Sequence, residues 1–254
     1  MRFYIIPNLN QLDKCIELSR KYNFGFEYNE FFNPCLLDDK QKLNEVINTY
    51  KQLNRSNDYM HGVFLDICLN SCDQLIKEVS EKRVLQSLEI AKQLNLKGVI
   101  FHTNYINWMT NTNSYCDKWI NDNAMFYKKV AKLYPDINIY IENMFDDSPY
   151  LLKKLIEEIN LDNVKVCLDF AHAFISKTNI NEWVNELKPY IGHIHINDNN
   201  GKEDSHLKLG DGNINYKQLF NIIKDLDVSV LIEMNNIDNA FQSYLYLVGN
   251  DKDE

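Results

Sequence analysis

Eight short apolar runs, each followed by a polar loop and an amphipathic stretch, succeed one another along the whole chain. The runs cover Arg2 to Ile6, Phe24 to Tyr28, Tyr59 to Phe64, Gly98 to His102, Asn138 to Glu142, Lys165 to Asp169, Ile191 to Ile196 and Ser229 to Glu233. Their length and content read as buried strands. Helical patterns are expected between them, over Leu12 to Lys21, Asp38 to Leu53, Asp73 to Leu94, Lys118 to Leu133, Pro149 to Ile159, Ile180 to Leu187, Tyr216 to Asp225 and Asn236 to Val248. Val84, Leu85, Leu88, Ala91 and Leu94 show the i, i+3, i+4 spacing of one buried helix face. Strands that alternate with helices pair in parallel through crossovers, and eight such units in 254 residues fit a closed (β/α)8 barrel. The class expected is therefore α/β. No Pro/Gly/Ser-rich linker or composition change divides the chain, so residues 1–254 are read as a single domain, with residues 249–254 a frayed tail.

Composition narrows the function classes. An apolar fraction of 45% supplies a packed core, and no apolar run reaches the roughly 18 residues of a membrane span. The start, MRFYIIPNLN, has no signal-peptide pattern, which makes the cytoplasm the expected location. Cys15, Cys35, Cys68, Cys72, Cys116 and Cys167 then read as reduced thiols, and the Cys68/Cys72 pair has no second pair to complete a zinc ribbon. A net charge of −9 weighs against a polyanionic partner, whose affinity would rest on Lys and Arg. Bound cations would offset part of that charge, and Lys128-Lys129 and Lys153-Lys154 read as solvated helix faces.

Five of the six histidines stand beside carboxylates in segments that follow the apolar runs. The segments are YMHGVF at His61, VIFHTN at His102, IYIENM at Glu142, VCLDFAHAF with Asp169 and His172, HIHIND at His195, EDSHLKLGDG with Asp204 and His206, and VLIEMN at Glu233. In such a barrel the active site lies at the C-terminal ends of the strands, and all seven segments fall there. His193 shares the parity of His195 one layer deeper, where a supporting hydrogen bond is expected rather than ligation. Imidazole and carboxylate donors without thiolate favour Zn, Mn, Co or Fe. Nine such groups exceed the needs of one ion, so either two or three metals cluster or one metal is held while the rest contact substrate.

The set HGVFLD, FH, EN, CLDFAHA, HIND, DSHLKLGDG and the final Glu233 resembles the xylose isomerase-like TIM-barrel superfamily, over nearly the whole chain. That superfamily holds sugar phosphate isomerases and epimerases and the endonuclease IV type of apurinic-site endonuclease, AP endonuclease family 2. The isomerase resemblance implies one divalent ion, Zn or Mn, on Glu142, Asp169, His195 and Glu233. The endonuclease resemblance implies three zinc ions on His61, His102, Glu142, Asp169, His172, His195, Asp204, His206 and Glu233.

Two mechanisms follow. In the first, the metal grips a carbonyl and a hydroxyl of a sugar or sugar phosphate and stabilises an enediolate. Glu142 and Glu233 then move the proton from two sides, with carboxyl pKa values raised toward neutrality. His61, His102, His172 and His206 would contact substrate, Lys208 a phosphate or sugar oxygen, and Glu27 would line the pocket with Phe31, Phe32, Phe64, Tyr105 and Trp108. In the second, clustered zinc ions hydrolyse a phosphodiester and Glu142 bridges them. The loops FEYNEFFNP and GVFLDICLN carry no basic residue, which favours the small-molecule carbohydrate over nucleic acid as partner. A metal- or sugar-binding barrel without catalysis, or an aldolase- or dehydratase-like relative, is a third class, since one barrel hosts many chemistries. The number of subunits is not legible.

Overall fold

The computed structural model describes residues 1–107 and 113–249. Eight parallel strands close into a barrel in sequence order: β1 (Arg2–Ile5), β2 (Gly25–Tyr28), β3 (Tyr59–His61), β4 (Gly98–His102), β5 (Asn138–Glu142), β6 (Val164–Asp169), β7 (Ile191–Ile196) and β8 (Ser229–Ile232). β8 pairs back onto β1, so no edge is left open. The described helices are α1 (Leu12–Tyr22), α2 (Pro34–Asp38), α3 (Lys40–Gln52), α4 (Gln74–Gln93) and α5 (Asn113–Leu133) in the first half. The second half carries α6 (Tyr150–Ile159), α7 (Phe170–Ile175), α8 (Ile180–Leu187), α9 (Tyr216–Ile223) and α10 (Ile237–Gly249). The expected (β/α)8 TIM barrel is the observed fold. Residues 250–254 of the tail and Trp108 lie outside the described residues.

Strand alternation builds two environments. Ile5, Phe26, Met60, Val99, Ile139, Val166, Ile194 and Val230 face the helices and join the main apolar core. Residues of the other parity, Tyr4, Tyr59, Ile100, Tyr140, Cys167 and Leu231, fill the barrel interior as a separate cluster. Two glycines make room there: a Cβ on Gly98 or on Gly192 would stand 2.7 Å from opposite edges of the Tyr140 ring. Register then carries polar residues to one end, setting His102 beside Glu142 and Asp169 beside His195.

Local chemistry explains where the elements differ from the sequence pattern. The helix expected from Asp38 breaks at Asp39, whose carboxylate caps α3 through Gln41 N and Lys42 N. Asn33 caps the short α2 ahead of Pro34 in the same way. α7 follows β6 with no loop, because Asp169 ends the strand and also caps the helix, accepting from His172 N at 2.6 Å. β3 stops at His61 instead of reaching Phe64, and β8 stops one residue before Glu233. None of the described helices is long and apolar enough to cross a membrane.

Candidate metal centre

β5, β6 and β7 bring Glu142, Asp169 and His195 to one end of the barrel, and the residue after β8 brings Glu233. One ligand atom of each lies within 4.8 Å of the others. His61, His102 and Glu142 form a second such group. Asp204 joins a third set, its Oδ2 lying 3.2 Å from His172 Nε2 and 2.8 Å from His206 Nε2. Glu142 is shared between the first two groups. Its Oε2 is 3.4 Å from His61 Nε2 and 3.2 Å from His102 Nε2, while its Oε1 is 3.2 Å from His195 Nδ1 and 3.7 Å from His172 Nδ1.

These atoms suit a cation better than one another. Both Glu142 oxygens, Asp169 Oδ2, Asp204 Oδ1 and both His195 nitrogens are buried without a hydrogen-bond partner. Buried polar atoms are ordinarily paired, so a cluster of orphaned donors to metal is the signature of a cation site. The rings are aimed to match. His61 Nδ1 donates to Gly62 O at 2.9 Å and His172 Nδ1 to Asn143 O at 2.8 Å, leaving each Nε2 lone pair for the centre. Cys167, His193 and His195 also approach one another, but burial pushes the Cys167 thiol well up and both His193 nitrogens are already bonded. That set lies below the mouth and is not a ligand group.

Charge crowding is visible in the titration of the centre. Burial, with Glu233, Glu142 and Asp204 nearby, raises Asp169 to about 7 against the pull of His172. Burial would raise Glu142 too, but His195 and His102 outweigh it and hold its carboxyl well below the usual range. The expected upward shift of Glu142 is therefore not what the structure shows. His206, which burial alone would lower, is raised to about 9 by Asp204 and Glu233.

Ligation by the four-residue group needs Asp169 ionised, and a multinuclear site would need His206 neutral as well, so metal binding displaces protons. Without metal, charged His206 stabilises the fold fully below about pH 6.5, its ordinary value, and that contribution is lost as pH rises through about 9. Asp169 has the opposite sense for a carboxyl, costing stability increasingly between its ordinary 3.8 and about 7. The gap in melting midpoint between zinc-loaded and zinc-free protein is thus expected to widen as pH climbs from 6 to 9. Paired thermal melts across that range measure it, and a constant gap would contradict these assignments.

A cavity of about 260 Å³ opens above the centre. Its wall includes His61, His102, His172, Asp204, His206 and Glu233 with Phe32, Phe64, Met144 and Asn29, and no Lys or Arg among the described residues. Glu142, Asp169 and His195 lie fully buried beneath. Several expected pocket residues are elsewhere. Glu27 is wholly buried in the barrel interior, 2.9 Å from His193 Nε2, because its strand parity points it inward below the mouth. Lys208 turns to Asp211 at 3.1 Å, Phe31 is core, and Tyr105 packs on Trp119 with its hydroxyl at Cys116 Sγ.

Three supporting residues had no signal beyond their place in the motifs. Asn143 pairs with the backbone of Asp169 in both directions, at 2.9 and 3.0 Å, locking β5 to β6 at the ligands. Asn199 Nδ2 donates to Ala171 O under α7. Asp198, fully buried, accepts from Gly210 N and Ile214 N and so closes the loop that carries Asp204 and His206. An adjacent antiparallel bridge, Asp198 to Leu207, completes that closure. Asp198→Ala leaves the buried Ile214 N–H and the part-buried Gly210 N–H without this partner and is expected to cost about 2 kcal/mol in urea unfolding. Unchanged stability would show that the loop is held by other contacts.

Fold and site together define a (β/α)8 barrel whose C-terminal mouth carries carboxylate and imidazole groups able to hold a divalent metal. The chain belongs to the xylose isomerase-like TIM barrel family, whose model matches residues 18–245. The uncharacterized protein MJ1614 of Methanocaldococcus jannaschii is 31% identical over 183 residues, 70% of each chain. A probable endonuclease 4 of Mycoplasma capricolum subsp. capricolum is 24% identical over 208 residues, 74% of this chain and 70% of that one. Among solved structures, a D-tagatose 3-epimerase-like protein superposes with a TM-score of 0.79 at 24% identity, covering 98% of this chain and 96% of its own. The TTHB071 protein from Thermus thermophilus, soaked with ZnCl2, gives 0.79 at 18% identity over the full length of both. At these identities the superpositions bear on the fold.

Proposed function

We propose that this chain is a divalent-metal-dependent isomerase or epimerase of a small carbohydrate. The observation that carries the reading is the cavity of about 260 Å³, walled by aromatic and polar groups without Lys or Arg among the described residues and set directly over the Glu142, Asp169, His195 and Glu233 group. A volume of that order suits a monosaccharide, and the lack of Lys and Arg among the described lining residues favours one without phosphate. A divalent ion on those four residues would supply electrostatic stabilisation to adjacent carbonyl and hydroxyl oxygens. Glu233, which reaches the cavity, removes the proton from carbon; isomerisation returns it from Glu233 to the neighbouring carbon, and epimerisation takes it from a second acid on the opposite face of the enediolate. Glu142 is enclosed by imidazoles beneath the cavity wall and, like Glu233, is both a ligand and a member of the proton-moving pair expected from the sequence. His206 lines the cavity, with its Nε2 held by Asp204 at 2.8 Å and its Nδ1 3.4 Å from the Glu233 carbonyl oxygen. Phe32 and Phe64, 4.9 Å apart, exclude water from one wall.

A second reading, an endonuclease IV-like phosphodiester hydrolase with three zinc ions, is supported by one observation. His61 and His102 share Glu142 with the main group, and His172, Asp204 and His206 make a further set that a single ion does not need. The two readings separate in solvent deuterium exchange at the α-carbon of aldoses and ketoses, run beside an abasic-site oligonucleotide. Exchange without nicking supports the isomerase, and clean nicking that disappears in Glu142→Gln overturns it. Metal binding with neither reaction points to a barrel that binds without catalysis.

A further inference from the structure

We propose that Glu27 is a positioning residue for the metal centre, a buried carboxylate that fixes the tautomers of His193 and His195 and turns the Nδ1 lone pair of His195 toward Glu142 and Glu233. The inference rests on the metal centre described above, but not on any sugar chemistry. Glu27 stands on β2 and the two histidines on β7, so the contact is made across the barrel interior. Glu27 Oε2 lies 2.9 Å from His193 Nε2, and Glu27 Oε1 lies 3.2 Å from His195 Nε2. A carboxylate only accepts hydrogen bonds, so His193 presents its N–H from Nε2, and the nearby negative charge favours the same tautomer in His195. For His193 this leaves Nδ1 as an acceptor, and Ser229 Oγ donates to it at 2.7 Å. For His195 it leaves the Nδ1 lone pair, which sits 3.2 Å from Glu142 Oε1 and 3.7 Å from Glu233 Oε2.

The far end of this relay is rigid. Tyr59 lies 3.3 Å from Ser229 Oγ through its hydroxyl, and its ring packs edge-on against His193 at 4.9 Å. Tyr4 stacks on Tyr59 at 4.7 Å and closes the other side. The approach of His195 to Glu27 is close without the alignment of a formed hydrogen bond, so its ring is oriented there by tautomer and charge. Outer partners of this kind set the basicity and direction of a metal-bound imidazole. Glu27 adds a fourth carboxylate, beyond Glu142, Asp169 and Glu233, which favours a dication at the centre.

The experiment uses zinc alone. Chelator competition compares the wild-type chain with Glu27→Gln, whose amide must donate toward one imidazole and so reverses a tautomer. A loss of zinc affinity on the order of 10- to 100-fold is expected, with a smaller loss in the same direction for Ser229→Ala. Nitrogen-15 imidazole spectra of the zinc-loaded wild-type chain should place the protons of both His193 and His195 on Nε2. That measurement decides the matter even if Glu27→Gln does not fold. Unchanged affinity in folded Glu27→Gln, or a proton on Nδ1 of either histidine, overturns the proposal. A wild-type chain that binds no zinc overturns it together with the metal centre, whereas zinc binding without α-proton exchange sinks only the sugar reading.

Discussion

Glu142→Gln is expected to lower the affinity of the chain for zinc or manganese by more than about 100-fold, beyond what loss of an outer partner of a ligand costs. The reason is its shared position. Each Glu142 oxygen faces a different set of imidazoles, His61 and His102 on one side and His195 and His172 on the other. An amide keeps one acceptor and turns an NH2 group toward imidazole lone pairs, which it occupies by hydrogen bonding, so at least one of the two groups loses both an anionic oxygen and the lone pairs a metal would use. It also removes one of the negative charges that would balance a dication in a fully buried site. Elemental analysis of protein purified without chelators gives the count directly. Retention of all bound metal in Glu142→Gln would show that the ion sits elsewhere.

The second large effect concerns chemistry. Glu233→Gln is expected to slow α-proton exchange by roughly 10²- to 10⁴-fold, the range for loss of a positioned general base. Elemental analysis of Glu233→Gln itself separates that loss from simple loss of metal. His61→Asn and His206→Asn should leave one tight ion in place if Glu142, Asp169, His195 and Glu233 hold it alone. A wild-type count of three zinc ions that falls in both variants would make the glutamates structural ligands and the reaction hydrolytic, overturning the isomerase reading.

Much of the centre was legible because a parallel barrel turns linear spacing into spatial order. A donor that ends an apolar run must arrive at the same rim as every other such donor, which is why the nine donors could be placed on one rim before any coordinates, whereas the grouping of Glu142, Asp169, His195 and Glu233 came from the family resemblance. His172 was legible by its three-residue offset from Asp169, although the cap that makes the offset work was not. Glu27 misled, because it ends no run: it lies second from last in β2, where parity points it into the barrel below the mouth. Lys208 misled because loop position says nothing about which carboxylate a lysine will meet, and Asp211 is three residues away.

The sequence by itself determined the eightfold alternation, the rim on which the donors stand and the donor types that select a borderline divalent metal. Those are properties of order and chemistry, and they survive any detail of packing. Only the tertiary structure decided that Glu142 lies between two groups of imidazoles, that Asp198 closes the loop bearing Asp204 and His206, and that Glu27 lies beneath His195. Each depends on distances between side chains far apart in the sequence, set by barrel closure, strand register and the rotation of individual rings, and no periodicity along the chain encodes those.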